Sequence, residues 1–267
     1  MNASTKIGTE PLSLVFCALG GLVLLFIIAP LASMCIHSSG PEFVETIKDR
    51  EVQSSIRLTL ATSMAATLVF SVAAIPFAYL LARKDFPLKG LVSGIIDLPI
   101  VIPHSAAGIA LFGVASRAGF LGKAAGHIGI SFVGTSAGIA LAMAFVSLPF
   151  LVNAARDGFA AVPVRLEKAA LNLGASPLRV FFTISLPLAW RPILSGLILM
   201  WARGMSEFGA VLIIAYHPMI TPILIWERFG QFGLRYARPV AVLFIAVCLF
   251  FFVVLRLVAK GRQYAQR

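Results

Sequence analysis

Apolar residues fall in long runs along this chain, broken by short polar stretches rich in Lys, Arg, Gly and Pro. A helix needs about 20 residues to cross about 30 Å of hydrocarbon at 1.5 Å per residue. Six runs reach that length, at 12–36, 58–82, 91–115, 134–152, 193–216 and 240–259. None shows the short alternating segments of a membrane barrel. The pattern predicts an all-α, polytopic membrane protein with six transmembrane helices in a single domain over 1–267. The first run exceeds the length of a signal-peptide core and is expected to stay as a span.

Composition agrees. Of the 267 residues, 59% are hydrophobic and 12% charged, and the mean hydropathy is +0.95. A soluble domain carries roughly a quarter charged residues. The backbone of so apolar a chain must satisfy its own hydrogen bonds inside lipid, which helices do within one segment. The net charge of +11 does not point to nucleic acid, because the basic residues sit in short loops between runs. With the amino terminus inside, Lys6, Arg83, Lys84, Lys89, Arg156, Arg165, Lys168, Arg179, Arg191, Lys260, Arg262 and Arg267 are cytoplasmic. Lys48, Arg50, Arg117, Lys123, Arg228, Arg235 and Arg238 then lie outside, beside Glu42, Glu45, Asp49 and Glu51. Twelve against seven favours a cell-membrane protein with both termini in the cytoplasm.

One connection differs from the rest. The cytoplasmic loop 153–192 is far longer than neighbouring helices need, and it is dense with helix signals. Arg165 to Leu171 are strong helix formers. Gly174 suits the left-handed position past a helix end, with Ala175 after it. Ser176-Pro177 reads as an N-cap with proline at the first helical position. Leu178, Phe181 and Phe182 then share a stripe, and Leu186-Pro187 is expected to close the second helix. An apolar hairpin beneath the membrane needs a cytosolic partner to cover it.

The run Ala169-Ala170, three residues, Gly174, nine residues, Ile184-Ser185-Leu186-Pro187 resembles the EAA loop of ABC importer permeases. The resemblance implies the type I importer permease fold and a loop of Glu167, Lys168, Ala169, Ala170, Gly174, Ala175, Ser176, Pro177 and Leu178 that couples to a cytosolic ATPase. The motif's usual glutamate falls on Lys168, with Glu167 one place earlier. Leu81-Ala82-Arg83, Asp97-Leu98-Pro99, Ile102-Pro103 and the stretch Arg203 to Ala210 look like the sulfate, molybdate and tungstate branch. The branch implies a homodimer in membrane lipid, two ATP-binding cassette subunits and an extracytoplasmic binding protein that delivers an oxyanion, molybdate or tungstate foremost. No cofactor is expected on this chain, with ATP and magnesium held by the partner subunit.

Several residues are candidates for a translocation path: Arg203, Ser206, Glu207, Asp97 and His104. Arg203 and Glu207 are four apart and share a helix face, about 16 and 22 Å along the fifth run. Charges that deep face a bundle interior or a water-filled path. A structural ion pair is favoured over an anion path, since a carboxylate beside the path repels a dianion. Asp97 either meets a basic residue or faces the path, and His104 either lines it or finds a backbone partner. Pro99 and Pro103 predict a kink. Gly108, Gly113, Gly134, Gly138, Gly204 and Gly209 mark candidate close approaches of helices.

No phosphate-binding loop occurs, because Gly119 to Lys123 lacks the spacing and the following hydroxyl. Nucleophile–base sets are absent, and Cys17, Cys35 and Cys248 have no metal-ligand spacing. The chain therefore reads as a transport subunit and not an enzyme. An ATP-independent secondary transporter or channel is the alternative; it predicts inverted repeats or a relay of buried acids.

Overall fold

Helices provide all the regular secondary structure among the described residues, 11–261, of the computed structural model. Lys6, Arg262 and Arg267 of the topology count lie outside the described residues. Five helices are long and apolar enough to span a membrane: Leu12–Ile36, Arg50–Arg83, Ser136–Ala160, Pro177–Met205 and Leu234–Leu255. The third expected span, 91–115, is instead a bent pair, α4 (Lys89–Val101) and α5 (His104–Ala115), which meet at 113°.

The centre is α7 (Ser136–Ala160), packed against α3 (Arg50–Arg83) and α10 (Leu186–Met205), which also touch each other. Small residues dominate these seams, with Ala66, Ala74, Ala78, Ala142, Ala155 and Ala189 buried. Side chains this small bring backbones close, which is how helices associate where lipid is as apolar as their own surfaces. On α3 a ladder of Ser55, Thr59, Ser63 and Thr67 is buried, each hydroxyl donating to a carbonyl one turn back. Such back-bonding satisfies a hydroxyl without a partner helix.

α1 (Pro11–Ile36) stands apart. It touches α13 (Leu234–Gly261), and no residue of its span is buried. Three short helices were not anticipated: α2 (Gly40–Lys48), α6 (Phe120–Gly126) and α12 (Thr221–Phe232). Asp49 joins α2 to α3 by accepting from the Glu51 amide at 2.8 Å, as an N-cap does.

Four expected boundaries move. The second span begins at Arg50 rather than 58, because the polar turn 50–57 continues the helix beyond the apolar run. The fourth runs on to Ala160, so the loop 153–192 loses its first two turns to α7. The last span starts at Leu234 rather than 240. The fifth differs most. The helix that carries it begins at Pro177, ends at Met205, and is followed after a break by a separate short α11 (Gly209–Ile214).

Candidate functional site

The first candidate is the hairpin between α7 and α10. It consists of α8 (Val164–Asn172), a glycine turn and α9 (Pro177–Val180). Gly174 has φ +88°, its amide donates to Leu171 O at 2.9 Å, and the Ala175 amide reaches Ala170 O at 3.0 Å. Those two bonds define a Schellman cap, at the left-handed position that the sequence predicts. Ser176 Oγ accepts from the Arg179 amide at 3.3 Å, with Pro177 at the first helical position.

Leu186-Pro187 does not close the second helix. A π-helical turn, Phe181–Ser185, leads without interruption into α10. The π turn resets the hydrogen-bond register just ahead of Pro187, which then sits in a first turn, where its missing N–H is not needed. The hairpin is therefore the rigid continuation of a span. The single apolar stripe also divides. Phe181 turns inward and meets Tyr79 of α3 and Phe159 of α7, with ring centroids 5.1 and 5.9 Å away. Leu178 and Phe182 stay exposed, with Leu166, Leu171 and Leu173 beside them. Lys168 is exposed as well.

Glu167 carries the anchorage. Its side chain is 7% exposed and meets Arg83 of α3, where Nε lies 2.9 Å from Oε2 and Nη2 2.9 Å from Oε1. Ser185 Oγ donates at 2.6 Å, and Arg83 Nη2 also reaches Val162 O at 3.0 Å. Burial pushes the carboxyl pKa up, but hydrogen bonds from Arg83 and Ser185 outweigh it, and the group ends below the ordinary glutamate value. One acidic side chain thus ties α8 to α3 and to the root of α10. The departure from the motif at Lys168 is accounted for: the inward carboxylate is Glu167.

The second candidate lies where two helices break. Ile102-Pro103 separates α4 from α5, and Ser206 to Phe208 separates α10 from α11. α5 and α11 pack on each other. A Cβ on Gly209 would fall 2.9 Å from His104 Cβ, and one on Gly108 would fall 2.9 Å from Ile213 Cβ. Gly113, by contrast, faces open space. The approach brings together His104, Arg203 and Glu207 from separate elements. Glu207 Oε2 lies 3.1 Å from Arg203 Nη2 and 3.1 Å from His104 Nδ1, and Arg203 Nη2 lies 2.8 Å from His104 Nε2. Oε1 accepts from the Ala210 amide at 2.9 Å. Arg203 Nη1 reaches Ser206 Oγ at 3.3 Å. The ion pair favoured from the sequence is present, while His104 is held by side chains and not by backbone. Asp97 joins neither site; its Oδ1 accepts from Asn153 Nδ2 at 2.6 Å, so its partner is a neutral amide of α7.

A third cluster lies at the opposite end of α3. Arg228 Nη2 meets Asp49 at 2.6 Å and Glu51 at 3.0 Å, and Arg235 pairs with Glu42. These residues line a cavity of about 590 Å³ with Glu45 and Glu227. Among the described residues no group of three or more His, Cys, Asp or Glu is placed to hold a metal.

Residues 74–263 match the family model described as the inner membrane component of binding-protein-dependent transport systems. The chain is 43% identical over 252 residues to the molybdate/tungstate transport system permease protein of Thermococcus kodakarensis, covering 94% of this chain and 96% of that one. It is 44% identical over 252 residues to the protein of the same description from Pyrococcus abyssi, covering 93% and 96%. The bacterial alginate ABC transporter, solved with its alginate-bound periplasmic protein, superposes with a TM-score of 0.71 at 17% identity, covering 95% of each chain. That likeness establishes the fold.

Proposed function

The chain belongs to the inner-membrane components of binding-protein-dependent ABC transport systems, and from that membership we propose that it is the permease through which molybdate or tungstate enters the cell. Such permeases work with a separate ATPase and a binding protein, and ATP hydrolysis resides on the former. The oxyanion reading is supported above all by the relatives of that description, which align over nine-tenths of the chain. ATP and magnesium belong to the partner subunits, and this chain holds no cofactor of its own; the lack of a phosphate-binding loop in the sequence supports this.

Geometry supports the coupling. The exposed apolar tip at Leu173 and Leu178 is the face for the ATPase, and Glu167 joins that face to α3 and α10. A partner that moves the tip moves the spans. The assembly is a homodimer in lipid. This accords with α1, which has no buried face in its own chain. Both termini are cytoplasmic. In support, twelve Lys and Arg fall on the cytoplasmic side of that arrangement against seven outside.

The test is co-expression with its ATPase and binding protein. The wild-type chain is expected to co-purify with the ATPase and to drive molybdate uptake into vesicles. Leu178→Asp places a charge in the apolar contact and should lose ATPase co-purification while its thermal midpoint stays unchanged. Retained co-purification and uptake in Leu178→Asp would overturn the assignment of the hairpin.

A further inference from the structure

Arg203 adjoins Gly204, whose added Cβ would fall 3.4 Å from Ser63 near the middle of the long α3, and 22% of its side chain is accessible, while Glu207 beside it is fully buried. A guanidinium edge left open at that depth does not face hydrocarbon, where charge is costly; it faces water or protein. The groups around that edge are donors. Nη1 lies 3.3 Å from Ser206 Oγ, and Ser206 is exposed. Its hydroxyl now donates to Arg203 O at 3.0 Å and is free to rotate toward a ligand. His104 is 37% exposed. His104 opens α5 at the same break.

The carboxylate sits behind this face. Glu207 Oε1 is taken by the Ala210 amide, and Oε2 lies against Arg203 and His104 with no directed hydrogen bond. Arg203 and His104 cover it, and none of the carboxylate reaches the surface. The objection to an anion beside Glu207 therefore disappears: the anion would meet the donors and not the acid.

We infer that Arg203, Ser206 and His104 form a transit contact for a tetrahedral oxyanion at the double helix break, with Glu207 as a positioning residue behind them. The inference rests on the oxyanion reading above and adds where in the membrane the dianion is touched. Glu207 also keeps the contact weak. A guanidinium already paired holds a dianion less firmly than a free one, and a passing site must release what it binds.

The experiment uses the complete complex in vesicles, with molybdate as the probe and the loaded binding protein in excess. Arg203→Lys keeps a cation for Glu207 but removes the planar fork. Ser206→Ala removes a hydroxyl that no other element uses. Each variant is expected to purify with an unchanged thermal midpoint and to take up molybdate roughly tenfold more slowly, the scale of a lost hydrogen bond to a charged group. Wild-type uptake in both variants would overturn the contact. So would full rescue by Arg203→Lys together with a Ser206→Ala loss that merely tracks lost folded complex, since that pattern belongs to a structural pair. A wild-type complex that takes up neither molybdate nor tungstate would instead defeat the functional reading beneath it.

Discussion

A carboxylate buried at the foot of a membrane helix keeps its charge only if donors surround it, and Glu167 is enclosed by Arg83, Ser185 and, at 3.5 Å, the Tyr79 hydroxyl. Removing one partner leaves the other charge buried. Arg83→Ala should therefore destabilise the protein by about 3–5 kcal/mol, and Arg83→Ala with Glu167→Ala should recover part of that, read from thermal unfolding in detergent. The pH dependence has a definite sign. The folded-state pKa lies below the unfolded one, so the stabilisation is complete above the ordinary glutamate value of about 4.3 and is lost as pH falls through the depressed value. Glu167→Gln should remove that acid-side loss, and an unchanged acid profile would argue against the buried pair. Glu167 stood in the coupling loop on sequence grounds, but its direction was not legible. Its partners lie 84 and 18 positions away, and no local pattern encodes such distances. For Arg203 and Glu207 the spacing of four was enough to pair them, whereas His104 is 99 positions from Arg203 and joins only through the packing of α5 on α11.

Among the elements, the glycine turn of the hairpin was legible to the residue, because caps are local chemistry. A Cβ at Gly174 would meet nothing within 4 Å, so only the backbone conformation at φ +88° resists substitution. Gly174→Val should cost about 1–2 kcal/mol. Gly174→Asn, which tolerates the left-handed region, should cost much less. The measurement is ATPase co-purification across the pair, with loss in the valine variant and retention in the asparagine one; equal behaviour would remove the turn from the coupling argument. The breaks were less legible. Pro99 and Pro103 predicted a kink, and the helix does break at Ile102-Pro103, but neither the 113° bend nor the packing of α5 on α11 was readable from them. The end of α10 at Met205 is masked because the residues around it, Met205, Phe208 and Ala210, keep the apolar run going. The π turn hid in the same way: Pro187 reads as a stop unless the register shift before it is known.

For the whole molecule, the hairpin and the Arg228 cluster lie at opposite ends of α3, 34 residues long and so about 50 Å. The two ends therefore fall on opposite sides of a bilayer. In a chain with Cys17, Cys35 and Cys248 replaced by Ala, Ser39→Cys should react with an impermeant thiol reagent from outside. Ser176→Cys should react only once the membrane is opened, and the reverse labelling would invert the topology. The five long spans and the apolar stretch of the bent pair were readable from hydropathy, because apolar length is all that crossing requires; which helices pack together was not, since apolar length does not encode a packing partner. That same inequality of packing bears on how the chain is made. α1 is the most apolar span and leans on almost nothing, so it can leave the ribosome, enter lipid and wait there alone. The segment Pro177–Met205 is the least apolar of the spans and carries Arg203, so it gains a comfortable place only when α3 and α7 are already there to receive it. Biogenesis thus has an order written into it: the first and last spans are passengers the bilayer accepts unaided, and the one that precedes the last needs its elders as chaperones.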